Sequence, residues 1–152
     1  MNTHDMPPFA SFWRGSDLQL RLEEGHIDAR RARQLATERG AVRRALVHSL
    51  AAAGWLEGEN AGALAEASED LEIARILRAC LAYLSAGPDR LTMVSLEDLW
   101  LERQPQNVPA STDEHPNWRR RARFAFEEMR SLPGVVDTLR EVDRLRRAGE
   151  GE

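Results

Sequence analysis

The alternation of apolar and polar residues along the chain predicts a mainly helical protein. Four segments carry apolar residues at helical spacing: Leu18–Glu24, Ala29–Ala53, Ser68–Ser85 and Leu132–Arg147. Asp28 and Ser68 stand where each side chain can accept a hydrogen bond from the first turn of its helix. Between the second and third helices, Gly54–Ala67 loses this pattern and predicts a loop with one helical turn.

One segment has the pattern of a strand instead. Leu91–Leu96 is apolar at every position except Thr92 and Ser95, which is typical of a strand buried in a parallel sheet. Near the start of the chain, residues 2–15 predict the exit of another strand and the turn after it, because paired prolines interrupt regular structure there.

A single complete strand cannot form a sheet by itself. Two strand exits with helices between them are what the last portion of a (β/α)8 barrel looks like. The predicted fold class is therefore α/β, the C-terminal portion of a TIM barrel that is mostly helical within residues 1–152. A small helical domain is the alternative, and it leaves the buried-type strand without neighbours.

Composition narrows the function classes. The chain has 152 residues, 42% of them hydrophobic and 30% charged, which fits one domain. Its net charge of −4 gives no indication of a nucleic-acid or membrane partner. The single cysteine, Cys80, excludes a disulfide within the chain and fits a reducing compartment, so a cytoplasmic protein is expected. No ligand spacing indicates a metal and no glycine-rich loop indicates a nucleotide, so no cofactor is expected.

The segment from Asn107 to Arg121 carries the candidate chemistry. It is rich in Pro, Asn, Ser, Thr and Asp, and its two prolines stiffen it. Asn offers a donor and an acceptor, Arg a fork of donors, and Trp118 a flat apolar face, which together suit a polyhydroxylated ligand. Taken alone, the segment is better explained as a connection in which Trp118 packs in the core and the arginines begin the next element.

A motif near the start of the chain, called the first motif below, favours a ligand site over a simple connection. Thr3-His4-Asp5 precedes a Phe-Trp-Arg-Gly run near the start of the chain, and the later segment contains Asn-Val-Pro and Pro-Asn-Trp-Arg. Together they resemble the C-terminal part of the 4-α-glucanotransferases (amylomaltase, disproportionating enzyme; glycoside hydrolase family 77). The two motifs occur in that family's order, and the resemblance covers essentially the whole chain.

The resemblance implies specific roles. Asp5 matches the family's third active-site carboxylate, a transition-state stabiliser, and His4 beside it binds a sugar hydroxyl. Asn107 and Asn117 match substrate-binding or loop-ordering positions, and Trp118 matches a residue that braces the loop. The implied substrate is an α-1,4-glucan or maltooligosaccharide derived from starch or glycogen, and no metal or cofactor is implied.

The family's nucleophile and acid/base lie earlier than these motifs. The expectation is therefore a C-terminal fragment that is inactive alone and whose partner is the missing N-terminal part of the barrel. A non-catalytic carbohydrate-binding or helical protein-interaction module is the alternative, and a nucleic-acid module built on the arginines ranks last. The role of Asp98 stays open between facing the site and capping the turn after the strand.

Overall fold

The computed structural model describes residues 5–56, 61–89, 91–109, 111 and 115–149. These ranges contain eight helices, numbered in chain order: α1 Phe9–Arg14, α2 Ser16–Glu23, α3 Ala29–Ala52, α4 Ala61–Ala65, α5 Asp70–Ser85, α6 Leu96–Leu99, α7 Phe126–Met129 and α8 Pro133–Gly149. None of them combines the length and apolar character needed to cross a bilayer.

The long helices confirm the periodicity of the sequence. Asp28 caps α3 as predicted, with its Oδ1 accepting from the Arg31 backbone N–H at 2.7 Å. Gly25, with φ of 76°, takes the left-handed conformation that ends a helix just after α2. Ser68 does not cap α5, since the residue at the start of that helix is Glu69 and no side chain caps it.

The strand prediction is wrong for the part of the chain that is described. Leu91 to Ser95 form no strand, and Leu96 already belongs to α6. Leu91 and Met93 are 73% and 71% exposed, so the segment is not buried. The physical reason is that a strand needs a neighbour to pair with, and the described residues contain no strand that could pair with this segment.

The start of the chain also differs from the prediction. The two prolines do not end regular structure but introduce it, because Pro8 stands immediately before α1, where the missing proline N–H costs nothing. α1 is then tied to the rest of the molecule by Trp13, which is 1% exposed and donates its indole N–H to the Ala67 carbonyl at 3.1 Å. The first motif is therefore followed directly by a buried helix.

Two apolar clusters hold the helices together. The larger joins Trp13 of α1 to buried residues of α3, α4 and α5, among them Val47, Leu64, Ile73 and Ile76. The smaller joins Leu77 and Leu81 of α5 to Val142 of α8, with Val94, Leu99 and Leu101 packed against it. Burying these side chains provides the main stabilisation of the fold. α5 takes part in both clusters, which makes it the central helix.

Candidate functional site

The two sequence motifs meet in the folded chain. Asn107 Nδ2 donates a hydrogen bond to Asp5 Oδ1 at 2.9 Å, across 102 positions of sequence. The structure thus brings together two of the four expected site residues. His4 lies outside the described residues.

Asp98 fixes the segment that carries Asp5. Its side chain is 3% exposed, and its Oδ1 accepts from the Phe9 backbone N–H, at the start of α1, at 2.7 Å. A carboxylate at the first N–H of a helix satisfies a donor that has no partner within the helix. Asp98 therefore caps α1, a contact that the sequence did not indicate.

Asn117 orders the loop that follows Asn107. Its Oδ1 accepts from the Val108 N–H at 2.9 Å, and its Nδ2 donates to Ser111 Oγ at 2.8 Å. Ser111 Oγ in turn donates to the Val108 carbonyl at 2.6 Å. Of the two roles expected for Asn117, these contacts favour loop ordering, because both ends of its amide are engaged within the loop.

Two residues in the left-handed backbone conformation flank this loop. Leu101 has φ of 56° and Trp118 has φ of 61°, and neither is glycine. Such a conformation costs a side-chain-bearing residue roughly 1–2 kcal/mol, and it persists only where the surroundings enforce it. The backbone of Trp118 is held in this conformation in part by a hydrogen bond from its N–H to the Gln106 carbonyl at 2.8 Å. Its side chain is 59% exposed, so the alternative that Trp118 packs in the core is wrong.

Arg120 also holds the loop in place, through ion pairs and a hydrogen bond; such contacts are called braces below. Its guanidinium contacts Glu97 Oε1 at 2.8 Å and Glu102 Oε2 at 3.2 Å, and it also donates to the Gln104 carbonyl at 3.0 Å. Burial on its own would raise the pKa of the Glu102 carboxyl, but two backbone N–H donors in the following turn and nearby arginine charges hold that pKa below its ordinary value. The ionised form of Glu102, which pairs with Arg120, is thereby favoured.

A histidine ties the far side of the loop to α2. His115 Nδ1 lies 3.0 Å from Glu24 Oε1, and His26 Nε2 lies 3.4 Å from the other oxygen of the same carboxylate. All three side chains are mostly buried. Since His115 stands two positions before Asn117, this contact helps to place the loop against the helix.

A cleft of about 190 Å³ opens where these parts meet. Its lining residues come from the start of the chain, from α2 and from the loop after α6: Asp5, Pro7, Asp17, Leu20, Arg21, Pro105, Asn107, Val108 and Pro109. Ligand pockets usually measure about 300–1,000 Å³. The cleft is therefore the size of part of a ligand site, and its lining combines polar groups with proline and aliphatic carbon.

Sequence reasoning missed three residues of this site. Asp17, Arg21 and Glu24 lie on or just after α2, which the sequence marked only as a short amphipathic helix. No local signal identifies them, because Asp17 pairs with Arg39 of α3, Glu24 pairs with His115 some 90 positions later, and Arg21 is distinguished only by its place in the cleft. Asp17 in particular is 8% exposed and forms a two-pronged ion pair with Arg39 of α3.

Cys80 is a packing residue. It is 3% exposed in the core, and burial raises the pKa of its thiol to about 12. A thiol in that state is not a nucleophile at neutral pH. Cys80 does not line the cleft, whose polar groups are two carboxylates, one amide and one guanidinium among the described residues.

The similarity to known proteins covers both motifs. The family model described as 4-alpha-glucanotransferase matches residues 1–126. The 4-alpha-glucanotransferase of Mycobacterium tuberculosis (strain ATCC 25618 / H37Rv) is 33% identical over 120 residues, which cover 78% of this chain and 15% of that protein. The 4-alpha-glucanotransferase of Haemophilus influenzae is 32% identical over 119 residues, which cover 78% of this chain and 16% of that protein.

The chain thus spans about 15% of the length of the relatives that it matches. The match to the family model includes Thr3-His4-Asp5, helices α1 to α6 and the loop with the residues that hold it, and it ends before α8. The chain belongs to the 4-alpha-glucanotransferase family, glycoside hydrolase family 77.

Proposed function

We propose that this chain forms the C-terminal portion of the catalytic barrel of a 4-α-glucanotransferase, which transfers α-1,4-glucan segments to glucose or another glucan by retaining double displacement. The observation that carries the proposal is the hydrogen bond between Asn107 and Asp5, both of which line the cleft. It joins the two motifs on which the resemblance rests, and family membership supports the substrate class.

Retaining transfer needs a carboxylate nucleophile and an acid/base that flank the scissile bond. In this proposal those two groups belong to the remainder of a family enzyme, and no Asp or Glu of this chain takes their place. Asp5 is instead the third carboxylate, which accepts from ring hydroxyls as the sugar distorts. An interaction that strengthens on distortion lowers the barrier more than it tightens ground-state binding.

The remaining site residues act around Asp5. Asn107 holds the carboxylate and presents its amide to the cleft. Asn117 contributes by holding the loop on which Asn107 stands, and His4, which precedes Asp5, is assigned to a sugar hydroxyl on the motif alone. The substrate would be a maltodextrin of the starch and glycogen type, handled in the cytoplasm.

The segment from Leu91 to Ser95 supports the barrel. In the described part of the chain its backbone N–H groups make no hydrogen bond, and Leu91 and Met93 expose their side chains while Val94 packs on the second apolar cluster. Unpaired backbone groups and one uncovered apolar face are what a strand has when its neighbours come from another segment. We assign that neighbour to strands in the remainder of a family enzyme.

Glucan binding by the chain itself is the direct test. Titration of ¹⁵N-labelled protein with maltotetraose should shift the amide resonances of Asn107 and Val108 with a Kd on the order of millimolar, as suits a partial cleft. Cellotetraose, which has the same units in β linkage, is the matched control. Equal responses to both sugars, or shifts confined to α5 and α8, would overturn the assignment of the cleft.

Catalysis requires the rest of the enzyme. The chain alone should release no glucose from maltotriose, whereas a chimera in which residues 1–126 replace the matched segment of the Mycobacterium tuberculosis relative should do so. In that chimera Asp5→Asn should lower kcat by roughly 10²-fold, the scale of losing an electrostatic contact in the transition state. Asp28→Asn, which removes only a charge at the cap of α3, should leave kcat unchanged. Transfer by the unextended chain would favour a different site.

A further inference from the structure

The α2 wall of the cleft contains an arginine whose role the contacts of the fold do not explain. Arg21 stands in the last turn of α2, is exposed, and lines the cleft together with Asp5 and Asn107. Within the ranges that the structure describes, no hydrogen bond or ion pair engages its guanidinium. Its backbone carbonyl, by contrast, accepts from the His26 N–H at 2.9 Å, which fixes the turn that carries it.

Three arginines that lie near the first helices differ from Arg21, because the fold itself engages their guanidinium groups. Arg39 binds Asp17, Arg43 donates to the Trp13 carbonyl at 2.8 Å, and Arg14 pairs with Asp70. The pairing of Asp17 matters most here, because Asp17 is the other carboxylate that lines the cleft. Since Arg39 holds it from both oxygens, Arg21 is not needed as its counter-ion.

The groups that line the cleft are complementary to a sugar. Each hydroxyl of a glucose unit both donates and accepts, so it needs acceptors such as carboxylate oxygens and donors such as N–H groups. Asp5 supplies the acceptor on the motif side of the cleft, and a guanidinium supplies up to five donors in a fixed fork. Among the residues that the structure describes, Arg21 is the one arginine that lines this cleft.

We propose that Arg21 is a substrate-binding residue whose guanidinium donates to hydroxyl oxygens of the sugar unit held against Asp5 and Asn107. The inference rests on the proposed function. It adds a hydrogen-bond donor from α2 to the site that Asp5 and Asn107 form. The competing explanation is that Arg21 is a solvated charge that interacts only with the C-terminal end of the α2 dipole. The two explanations differ in what a glucan does to the side chain.

The test compares the affinity of the full chain for maltotetraose in four proteins: wild type, Arg21→Ala, Arg21→Lys and Arg30→Ala. Arg21→Ala should weaken Kd roughly tenfold, the usual scale for losing a charge-assisted hydrogen bond. Arg21→Lys should recover part of the loss, because it keeps the charge but not the fork. Arg30, exposed on α3 and likewise without a described partner, is the matched control and should bind as wild type.

A second readout follows the side chain directly. The Arg21 Nε–Hε resonance of the wild-type chain should shift on addition of maltotetraose and stay in place on addition of sodium sulfate at the same concentration. A resonance that moves with sulfate and ignores the glucan would overturn the inference, since it would mark a general anion contact. A variant that lowers Tm but binds maltotetraose as wild type would overturn it in favour of the helix-dipole role.

The outcomes separate this inference from the proposed function. If the wild-type chain binds maltotetraose with the expected shifts at Asn107 and Val108 and Arg21→Ala binds it equally tightly, the cleft binds glucan without Arg21 and only this inference fails. If the wild-type chain binds no maltotetraose at all, the proposed function of the cleft fails and the assignment of Arg21 fails with it.

Discussion

The helical body, α1 to α5, and the motif loops, residues 91–125, are held together in different ways. The body is built on apolar burial: Trp13, Ile73 and Ile76 are at most 1% exposed. The loops depend on polar contacts between side chains and backbone, and they expose large apolar groups such as Leu91 and Trp118. The hydrophobic effect is non-directional, whereas hydrogen bonds prefer particular distances and angles and so specify the position of individual atoms.

This difference shows how the molecule separates stability from positioning. A loop held by Arg120 and Asn117 can hold Asn107 against Asp5 without burying it, so the polar groups stay accessible to a ligand. The cost is that the loops contain few buried contacts and open more easily than the core. A binding site on such loops is precise only as long as every brace is intact.

The largest expected effect comes from removing the anchor of the helical body. Trp13→Ala deletes a fully buried side chain and leaves the Ala67 carbonyl without its donor, so the free energy of unfolding should fall by about 3–5 kcal/mol. Trp118→Ala is the matched control in the loops and should cost less than about 1 kcal/mol, because that side chain is 59% exposed. Urea denaturation followed by circular dichroism measures both. Equal losses would mean that the two regions share one core.

A smaller effect is expected where the two regions join. Asp98→Ala leaves the Phe9 N–H unsatisfied beside a buried cavity, which should cost about 1–3 kcal/mol. Asp98→Asn keeps an oxygen acceptor and should recover part of this. The exposed Asp89 serves as the control, since its replacement by Ala removes the same charge without touching α1. If hydrogen exchange of the Phe9 amide were unchanged in Asp98→Ala, the contact between Asp98 and Phe9 would not be what connects the helical body to the motif loops.

The sequence predicted the helical body well, for a physical reason. Helical periodicity and local caps are properties of neighbouring residues, so α3, α5 and α8 came within two residues of their observed bounds. Residues 91–96 were assigned wrongly as a strand, because their apolar pattern describes a strand whose partners are absent from the described chain.

The site could be predicted only where a motif marked it. Asp5 and Asn107 were paired by resemblance, and their contact is observed. The partner of Asp98 and the pairing of His115 with Glu24 could not be predicted, because each joins residues about 90 positions apart with no local pattern to indicate the contact. Trp118 shows the same limit: the expectation of a bracing residue did not reveal that its backbone, with positive φ, makes the contact with Gln106.

Within the motif loops, Asn117→Ala should have a local effect. It removes the acceptor of the Val108 N–H, so exchange of that amide should become roughly five- to tenfold faster, the equivalent of about 1 kcal/mol, with little change in global stability. Asn107→Ala is the matched control, because it breaks the contact with Asp5 and leaves the Val108 amide bonded. Acceleration of that amide in both variants would contradict the separate roles given to the two asparagines.

The smallest expected effect is a pH dependence of the Arg120 brace. The pKa of Glu102 lies below its ordinary value of 4.5, since the backbone and arginine donors outweigh burial. A carboxyl whose pKa is lower in the folded state stabilises the fold above its unfolded pKa and loses that contribution as pH falls through the folded pKa. The stabilisation that the ion pair between Arg120 and Glu102 gives to the loop should therefore be constant from pH 7 to about pH 5 and weaken only below 4.5.

The backbone amide shift of Gln104, whose N–H donates to Glu102 at 3.0 Å, reports the titration. Glu102→Gln is the control, because it cannot titrate and should flatten the curve while Asp70, also a low-pKa carboxyl, continues to respond. A midpoint at or above 4.5 in the wild-type chain would show that burial prevails and that Arg120 does not hold the loop through this charge.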